Sequence, residues 1–269
     1  MLSQVLSNAP LYLLVAARCL ASIMTLPLFS MQSVSRVAKI ALAGYLAFLL
    51  LPSARVGGYN QFSGVYEAFT LEYVLLLAGE ILIGVITGFY ISILFAAFSS
   101  AGQFFSFQMG LSAAEAYDAL SQVENPLMGQ YLNLIAMILF LQVGAFQQLF
   151  LKGFQQGFES FNAMSLVLAE TRTELMQFLL KGLSSLFFNA MMIALPMVGS
   201  FFLVSVAMGI LSKAAPQMNL LSEGIPLTML LGFFLLTVSL PFMCDLFMRL
   251  FDAAFYNLES LFAQLKVSA

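Results

Sequence analysis

The sequence predicts an all-α, membrane-associated protein. Of its 269 residues, 61% are hydrophobic and only 9% are charged, which lies outside the range of soluble globular proteins. Uncharged windows recur along the chain, and one runs from Ile81 to Ala114 without a single charged side chain. A helix needs ~20 apolar residues to cross a bilayer, and several of these windows reach that length.

Six helices are predicted from these windows. The first is an uncleaved N-terminal helix that contains Arg18, because no basic segment precedes the apolar run. The second stops at Pro52 and is too short to cross a bilayer. The last two form a hairpin. In chain order the predicted bounds are about Ala9–Met31, Ile40–Leu51, Phe69–Phe98, Leu127–Leu151, Leu175–Leu211 and Ile225–Phe251.

Several classes of function are excluded by what the chain lacks. It has no histidine, so histidine-based catalysis and histidine metal sites are excluded, and it has no nucleotide-binding loop. Its two cysteines lie in apolar runs and are interpreted as small buried side chains. No basic run suggests nucleic-acid binding. We therefore predict no catalytic residue, no metal and no cofactor, and a protein that is not an enzyme.

The segment GEILIGVITGF (79–89) combines a carboxylate with two closely spaced glycines. Gly84 and Gly88 share one face of the helix and allow another backbone to approach. Glu80 lies on the same face, where a charge is costly unless it is paired or faces water. A structural contact, with Arg18 or with a partner's backbone, is the favoured interpretation. An ion or proton relay is the alternative.

An aromatic stripe follows further along the chain. Phenylalanines recur every three or four residues with glutamines between them, which predicts a helix that packs its aromatic face against a core. The amide-rich opposite face could instead line a wet cavity. The stripe consists of Phe146, Phe150, Phe154, Phe158 and Phe161.

Polar residues and helix-breaking residues are concentrated in SKAAPQMNLLSEGIP (212–226). A proline ends one helix and a Gly-Ile-Pro sequence starts the next, so the segment is a rigid polar elbow between two helices. It could also be a solvent-facing tip that contacts a partner. The candidate residues are Lys213, Pro216, Gln217, Asn219, Glu223, Gly224 and Pro226.

The stretch GQFFSFQMG (102–110) is too polar for lipid and too apolar for an ordinary water-facing loop. Irregular backbone at membrane depth is tolerated only when it is buried in protein or lines a cavity. Its glycines would permit turns, and its aromatic residues and methionine could close a conduit without fixed charges. A loop that only packs is the alternative. The candidate sealing residues are Phe104, Phe105, Phe107, Gln108, Met109 and Gly110.

Taken together, these segments resemble the FliR family, a component of the flagellar type III export gate that is called SctT, or SpaR-like, in virulence secretion systems. The similarity covers nearly the whole chain and depends on the order and spacing of its segments. These are Arg18 with PLF (27–29), SVSRVAKIALA (33–43), GEILIGVITGF, GQFFSFQMG, Asn125-Pro126, ALP (194–196) and SKAAPQMNLLSEGIPLTMLLGF (212–233).

The resemblance implies an architecture. Residues 1–174 would form a FliP-like helical region with a plug loop at about 102–125, and residues 175–269 a FliQ-like helical hairpin. One such chain would assemble with several FliP-like and FliQ-like subunits into a helical ring in the basal body, at the bacterial inner membrane. The elbow would lie on the cytoplasmic side, near an FlhB-like switch protein.

The resemblance also implies a function, which is to help form and seal the conduit for unfolded flagellar export substrates. A homologous subunit of a virulence system is one alternative. A small-solute secondary transporter is another, although such a protein would show paired charges and an inverted repeat, and neither is evident in the sequence. An intramembrane protease is less favoured, because Asp118, Asp245 and Asp252 lack the spacing of a carboxylate dyad.

Overall fold

A computed structural model describes residues 8–30, 34–56, 59, 70–111, 127–160, 163, 166, 169–214 and 223–268. Nearly all of these residues are helical and none of them lies in a strand, so the all-α prediction is confirmed. The helices are α1 (Ala9–Thr25), α2 (Pro27–Ser30), α3 (Arg36–Val56), α4 (Leu71–Met109), α5 (Leu127–Gln142), α6 (Ala145–Gln147), α7 (Phe154–Ser160), α8 (Ala169–Ala214) and α9 (Ile225–Ser268).

Prolines shape the first two long helices differently from the prediction. We expected one helix to Met31, but α1 ends at Thr25. Leu26 is extended, with φ −69° and ψ 133°, because the residue before Pro27 is sterically excluded from the helical region. Conversely, α3 continues through Pro52 to Val56, so the prediction that it stops there is wrong. Pro52 has no N–H to donate to the carbonyl of Phe48, four residues earlier, so the helix passes the proline with one hydrogen bond fewer.

The helix α4 is 39 residues long and extends eleven residues beyond its predicted end at Phe98. The loop predicted to begin at Gly102 is therefore wrong for residues 102–109. Gly102 lies inside the helix and is buried, and the left-handed residue that follows the helix is Gly110, with φ 78°. The rest of the predicted plug loop, 112–125, lies outside the described residues, as does Asn125-Pro126.

The uninterrupted helix predicted over Leu127–Leu151 is broken in the structure. The first part, α5, ends at Gln142, and Gly144 has a left-handed φ of 70°. After α6, a π-helical turn over Gln148–Gly153 leads into α7. A glycine in this conformation stops a helix without the steric cost of a Cβ atom, and the apolar pattern alone did not reveal it.

The last two helices are longer than predicted at one or both ends. The first, α8, begins at Ala169 and includes the segment AETRTELMQ, which we expected to be a polar connection. Its charged residues are good helix formers and do not oppose a helix. The second, α9, continues to Ser268. Among the described residues, three helices (α4, α8 and α9) are long and apolar enough to cross a membrane, or four if α5 and the broken segment after it form one span.

The chain folds into two compact units, each built from separate stretches of sequence. Unit 1 comprises 1–93, 144–183 and 251–269, and unit 2 comprises 94–143 and 184–250. In unit 1, α1 packs against α3, and the Tyr12 hydroxyl donates a hydrogen bond to the Gly44 carbonyl at 2.9 Å. In unit 2, aromatic rings join the helices. Phe98 lies 4.2 Å from Phe247 and Phe95 5.5 Å from Phe140, measured between ring centroids.

Candidate functional site

Arg18 and Glu80 form a buried ion pair inside unit 1. Arg18 Nε donates to Glu80 Oε2 at 2.5 Å, and Nη2 donates to Oε1 at 2.9 Å. The two side chains are only 1% and 0% exposed. This two-pronged geometry is the strong form of a charge-assisted hydrogen bond, and it places the planar guanidinium in a fixed orientation.

Two further donors complete the environment of Glu80. The Tyr59 hydroxyl donates to Glu80 Oε1, and the Ala163 backbone N–H donates to the same oxygen at 3.1 Å. The Ala163 N–H also reaches the Tyr59 oxygen, at 2.7 Å. Burial raises the pKa of Tyr59, and the Glu80 charge raises that pKa further, so the hydroxyl keeps its proton and remains a donor.

The Arg18 guanidinium also contacts an aromatic ring, since its Cζ lies 4.0 Å from the centroid of Phe158. Gly157 lies next to the guanidinium and to the Phe262 ring. A methyl group there would lie 3.5 Å from Arg18 Nη1 and 3.5 Å from the Phe262 ring. We call Arg18, Tyr59, Glu80, Phe158 and the Ala163 N–H the polar cluster. It connects α1, α4 and α7 to two segments that lie far apart in sequence.

The two glycines beyond Glu80 form a close contact between α1 and α4. A methyl group on Gly84 would collide with the Arg18 carbonyl oxygen, and one on Gly88 with the Thr25 side chain. Hydrogen bonds reinforce the contact, because Ser22 Oγ donates to the Gly84 carbonyl at 2.8 Å. Ser92 Oγ likewise donates to the Thr25 carbonyl at 2.6 Å. Small and hydroxylated residues of this kind let apolar helices pack closely.

The aromatic stripe lies along the α6–α7 region, with its phenylalanines turned inward. Phe150, Phe154 and Phe158 are buried, and the glutamines between them are exposed. Successive rings are in contact: Phe146 and Phe150 are tilted, with centroids 4.6 Å apart, and Phe150 and Phe154 are stacked, with centroids 5.0 Å apart. This arrangement agrees with the prediction that the helix packs its aromatic face against a core. Phe161 lies outside the described residues.

The six candidate sealing residues occupy different faces of the end of α4. Phe105 and Met109 are fully buried in unit 2, whereas Phe104 and Phe107 are 43% and 75% exposed. Gln108 is exposed, and Gly110 is half-buried. The prediction treated all of these residues as one surface, but the helical geometry separates them because residues three or four apart share a face.

The buried face of this helix end makes two very close contacts. A methyl group on Gly102 would lie 2.5 Å from the Met128 carbonyl oxygen and 2.6 Å from Gly129 Cα, so α4 and α5 touch backbone to backbone. A methyl group on Gly232 would lie 2.5 Å from Met109 Cγ. Gly102 therefore serves close packing and not the turn that the sequence suggested.

The helix ends that flank the predicted elbow are Ala214 of α8, three residues beyond the predicted Leu211, and Ile225 of α9, as predicted. Lys213, Glu223 and Pro226 are exposed. Gly224 is buried, and a methyl group on it would lie 3.2 Å from Met208 Cε. The candidate residues Pro216, Gln217 and Asn219 lie outside the described residues.

Sequence reasoning did not identify Tyr59, Phe158 or the Ala163 N–H as partners of Glu80 and Arg18. Their distances along the chain from Glu80 range from 21 residues for Tyr59 to 83 for Ala163, so no local pattern marks them. The periodic stripe did single out Phe158, but only as a core residue. Within the described ranges, no group of acidic residues and cysteines has the arrangement needed to hold a metal ion.

Comparison with known proteins places the chain in one family. The model of the family "Bacterial export proteins, family 1" matches residues 9–254. The flagellar biosynthetic protein FliR of Bacillus subtilis is 29% identical over 99% of this chain and 100% of the relative. FliR of Escherichia coli is 30% identical over 97% and 96%. The surface presentation of antigens protein SpaR of Shigella flexneri is 25% identical over 79% and 78%. The chain thus belongs to the FliR family of bacterial export proteins.

Proposed function

We propose that this chain is a channel subunit of the flagellar type III protein export gate, where it helps to form and seal the conduit for unfolded substrates. Its family and its full-length FliR relatives indicate a component of the flagellar export apparatus. Its three long apolar helices fit a multi-pass protein of the bacterial inner membrane.

The observation that supports sealing is the exposed aromatic face at the end of α4. Phe104 and Phe107 project from a helix that carries no charge beyond Glu80, and the exposed amides of Gln103 and Gln108 lie beside them. Hydrophobic constrictions of this kind close a pore by excluding water, and they need no fixed charge. Such a face would narrow a passage and still yield to an unfolded chain.

We further propose that FliP-like and FliQ-like subunits cover the apolar surfaces of this chain, with 1–174 and 175–269 as the FliP-like and FliQ-like parts. Large exposed side chains crowd the outer faces of α8 and α9, which is typical of surfaces that meet a partner or lipid. Examples are Phe187, Phe202, Leu203, Leu230 and Val238. The exposed residues Lys213 and Glu223 would contact an FlhB-like switch protein on the cytoplasmic side.

Ion conductance of the closed gate tests the sealing role. Replacing both exposed rings, Phe104→Ala with Phe107→Ala, should raise the conductance about tenfold, which corresponds to a barrier lower by ~1.4 kcal/mol. Assembly should persist, since both rings lie outside the core of unit 2. The matched control is Tyr45→Ala with Phe89→Ala, two exposed rings on α3 and α4 that lie outside the proposed seal. A Phe104/Phe107 variant that is as tight as the control would contradict the sealing role.

A virulence secretion subunit is the second candidate function, and the match to SpaR favours it. The two candidates differ in their substrates. Complementation of a strain that lacks its own FliR distinguishes them, because a flagellar subunit should restore the export of flagellin-class proteins. The secondary-transporter alternative is less favoured, because the buried charges Arg18 and Glu80 bind each other and leave no evident solute site there.

A further inference from the structure

The residues at the end of α4 form two groups. The buried Met109 is here called the anchor, and the exposed Phe104 and Phe107 are called the working face. We infer that Met109, seated between Gly232 and Phe201, holds this helix end in place during export, so that only Phe104 and Phe107 face the moving substrate. The inference rests on the proposed function, because it assigns roles within the proposed seal. Met109 is accordingly a positioning residue and not part of the seal.

Met109 occupies a space, here called its seat, that is open because residue 232 is a glycine and has no side chain. A methyl group on Gly232 would lie 2.5 Å from Met109 Cγ and 2.7 Å from its Cε. The same methyl group would lie 2.8 Å from Phe201 Cζ, so the methionine and the ring together fill the space above the glycine. Met109 and Phe201 are both completely or almost completely buried. Only glycine at 232 permits this fit.

Two more contacts hold the same stretch of α4 within unit 2. Two turns earlier, Gly102 touches the α5 backbone at Gly129. Further back, the Phe98 ring packs against the Phe247 ring of α9 at an interplanar angle of 35°, with ring centroids 4.2 Å apart. The end of α4 therefore contacts α5, α8 or α9 at three successive positions, Phe98, Gly102 and Met109. Met109 is the one nearest the end of the helix. A packed interior of this kind has low compressibility and transmits strain.

The helix ends immediately after the seat. The Gly110 N–H bonds back to the Phe107 carbonyl at 3.2 Å, and Gly110 has a φ of 78°. Glycine adopts this left-handed conformation without the penalty that a Cβ atom imposes. The left-handed residue thus comes directly after the anchor, so Met109 is the last residue of α4. The exposed rings of Phe104 and Phe107 lie on the last turns of the helix that Met109 ends.

A disulfide between the helix end and its seat tests the inference. Met109 Cγ is one bond from Cβ, so the Cβ atoms of residues 109 and 232 would be no more than about 4 Å apart, within disulfide range. Met109→Cys with Gly232→Cys is introduced into a chain in which Cys19 and Cys244 are replaced by alanine. Assembled gates in inverted membrane vesicles are oxidised with copper phenanthroline, and transport of a flagellin-class substrate is measured before and after reduction with dithiothreitol.

We expect the disulfide to form and the oxidised and reduced gates to transport equally well. The control is the Met109→Cys chain with Gly232 retained, because a side chain at 232 beside Met109 would collide with it. Transport that is lost on oxidation and returns on reduction would show that the seat opens, and would overturn the inference. Failure to form the disulfide would contradict the seat itself. If the Phe104/Phe107 variant does not leak but the locked gate transports, the sealing role fails while the anchor stands.

A second measurement avoids substitution of Gly232. Chains with Met109→Cys or Phe107→Cys as their only cysteine are exposed to a thiol reagent while a substrate is arrested in the gate. The anchor predicts protection at position 109 both with and without substrate. The working face predicts labelling at position 107 that falls when the substrate occupies the conduit. Labelling of Cys at position 109 that appears only with substrate would overturn the inference.

Discussion

At the scale of single residues, the polar cluster shows how an apolar protein tolerates a buried charge. Glu80 receives hydrogen bonds from the Arg18 guanidinium, the Tyr59 hydroxyl and the Ala163 N–H, so both of its oxygens are satisfied. Taking two ions out of water is expensive, and their attraction compensates only when such extra bonds are present. This satisfied geometry favours the structural interpretation of Glu80 over a proton relay.

The first prediction concerns the charge of Glu80. Glu80→Gln should cost about 3–5 kcal/mol of folding free energy, because it leaves the Arg18 guanidinium buried without a counter-charge. The double variant Arg18→Met with Glu80→Met should lose less than that, since it removes both charges together. Thermal unfolding of the isolated chain in detergent measures both. A Glu80→Gln chain that folds and assembles normally but does not export would instead support the relay.

At the scale of helices, glycines serve two different purposes in this fold. Gly110 and Gly144 supply the left-handed backbone that ends a helix, and their φ values are 78° and 70°. Gly84, Gly88 and Gly232 lie inside helices, where they let another segment come closer than a side chain would allow. The sequence shows the spacing of such residues. It does not show which purpose each one serves, since that depends on what lies opposite.

The second prediction separates packing from helix propensity. Gly88→Ala should destabilise the isolated chain by roughly 2 kcal/mol or more, because the new methyl group meets Thr25 and the Ser22 carbonyl in a well-packed contact. The matched control is Gly199→Ala, where a methyl group would meet nothing within 4 Å. Alanine there should be neutral or stabilising by up to about 1 kcal/mol, as expected for an open helical site. Equal effects at the two positions would contradict the close contact.

At the scale of the whole molecule, three long helices belong to both compact units. The boundaries fall within α4, α8 and α9, so each unit is assembled from separate parts of the chain. This spatial division differs from a division by family resemblance, in which 1–174 and 175–269 are successive parts. The spatial division describes how this chain packs against itself. The division after residue 174 describes the proposed similarity to FliP-like and FliQ-like subunits.

The third prediction concerns the hairpin of α8 and α9. If both helices cross the membrane, their adjoining ends must lie on the same side, and we propose that this is the cytoplasmic side. Lys213→Cys and Glu223→Cys, each in a cysteine-free chain, replace exposed residues at these ends. Both should react with a membrane-impermeant thiol reagent in inverted vesicles and not in spheroplasts. Labelling of the two positions from opposite sides would contradict the hairpin.

Much of the fold could be predicted from apolar runs and helix breakers. The two helix ends beside the elbow were predicted to within three residues, because helix breakers act locally on the backbone: α8 ends at Ala214, against a predicted Leu211, and α9 begins at Ile225 as predicted. The helix ends at Thr25, Met109 and Gln142 were missed. Leu26 precedes a proline, which was a usable local signal. Gly102 and Gly144 looked alike in sequence, and only one of them stops a helix.

The shortage of charge and the lengths of the apolar runs establish the class of this protein, because they leave helices in a membrane as the stable solution. The order of segments spread over the chain likewise identifies the family. The Arg18–Glu80 pair was among the contacts that the sequence suggested, whereas the other contacts described above could be read only from the fold. The partners of Glu80 lie up to 83 residues away, and Met109 faces Gly232 across more than a hundred residues. Contacts at such separations depend on the packing of whole helices, and no local pattern records them.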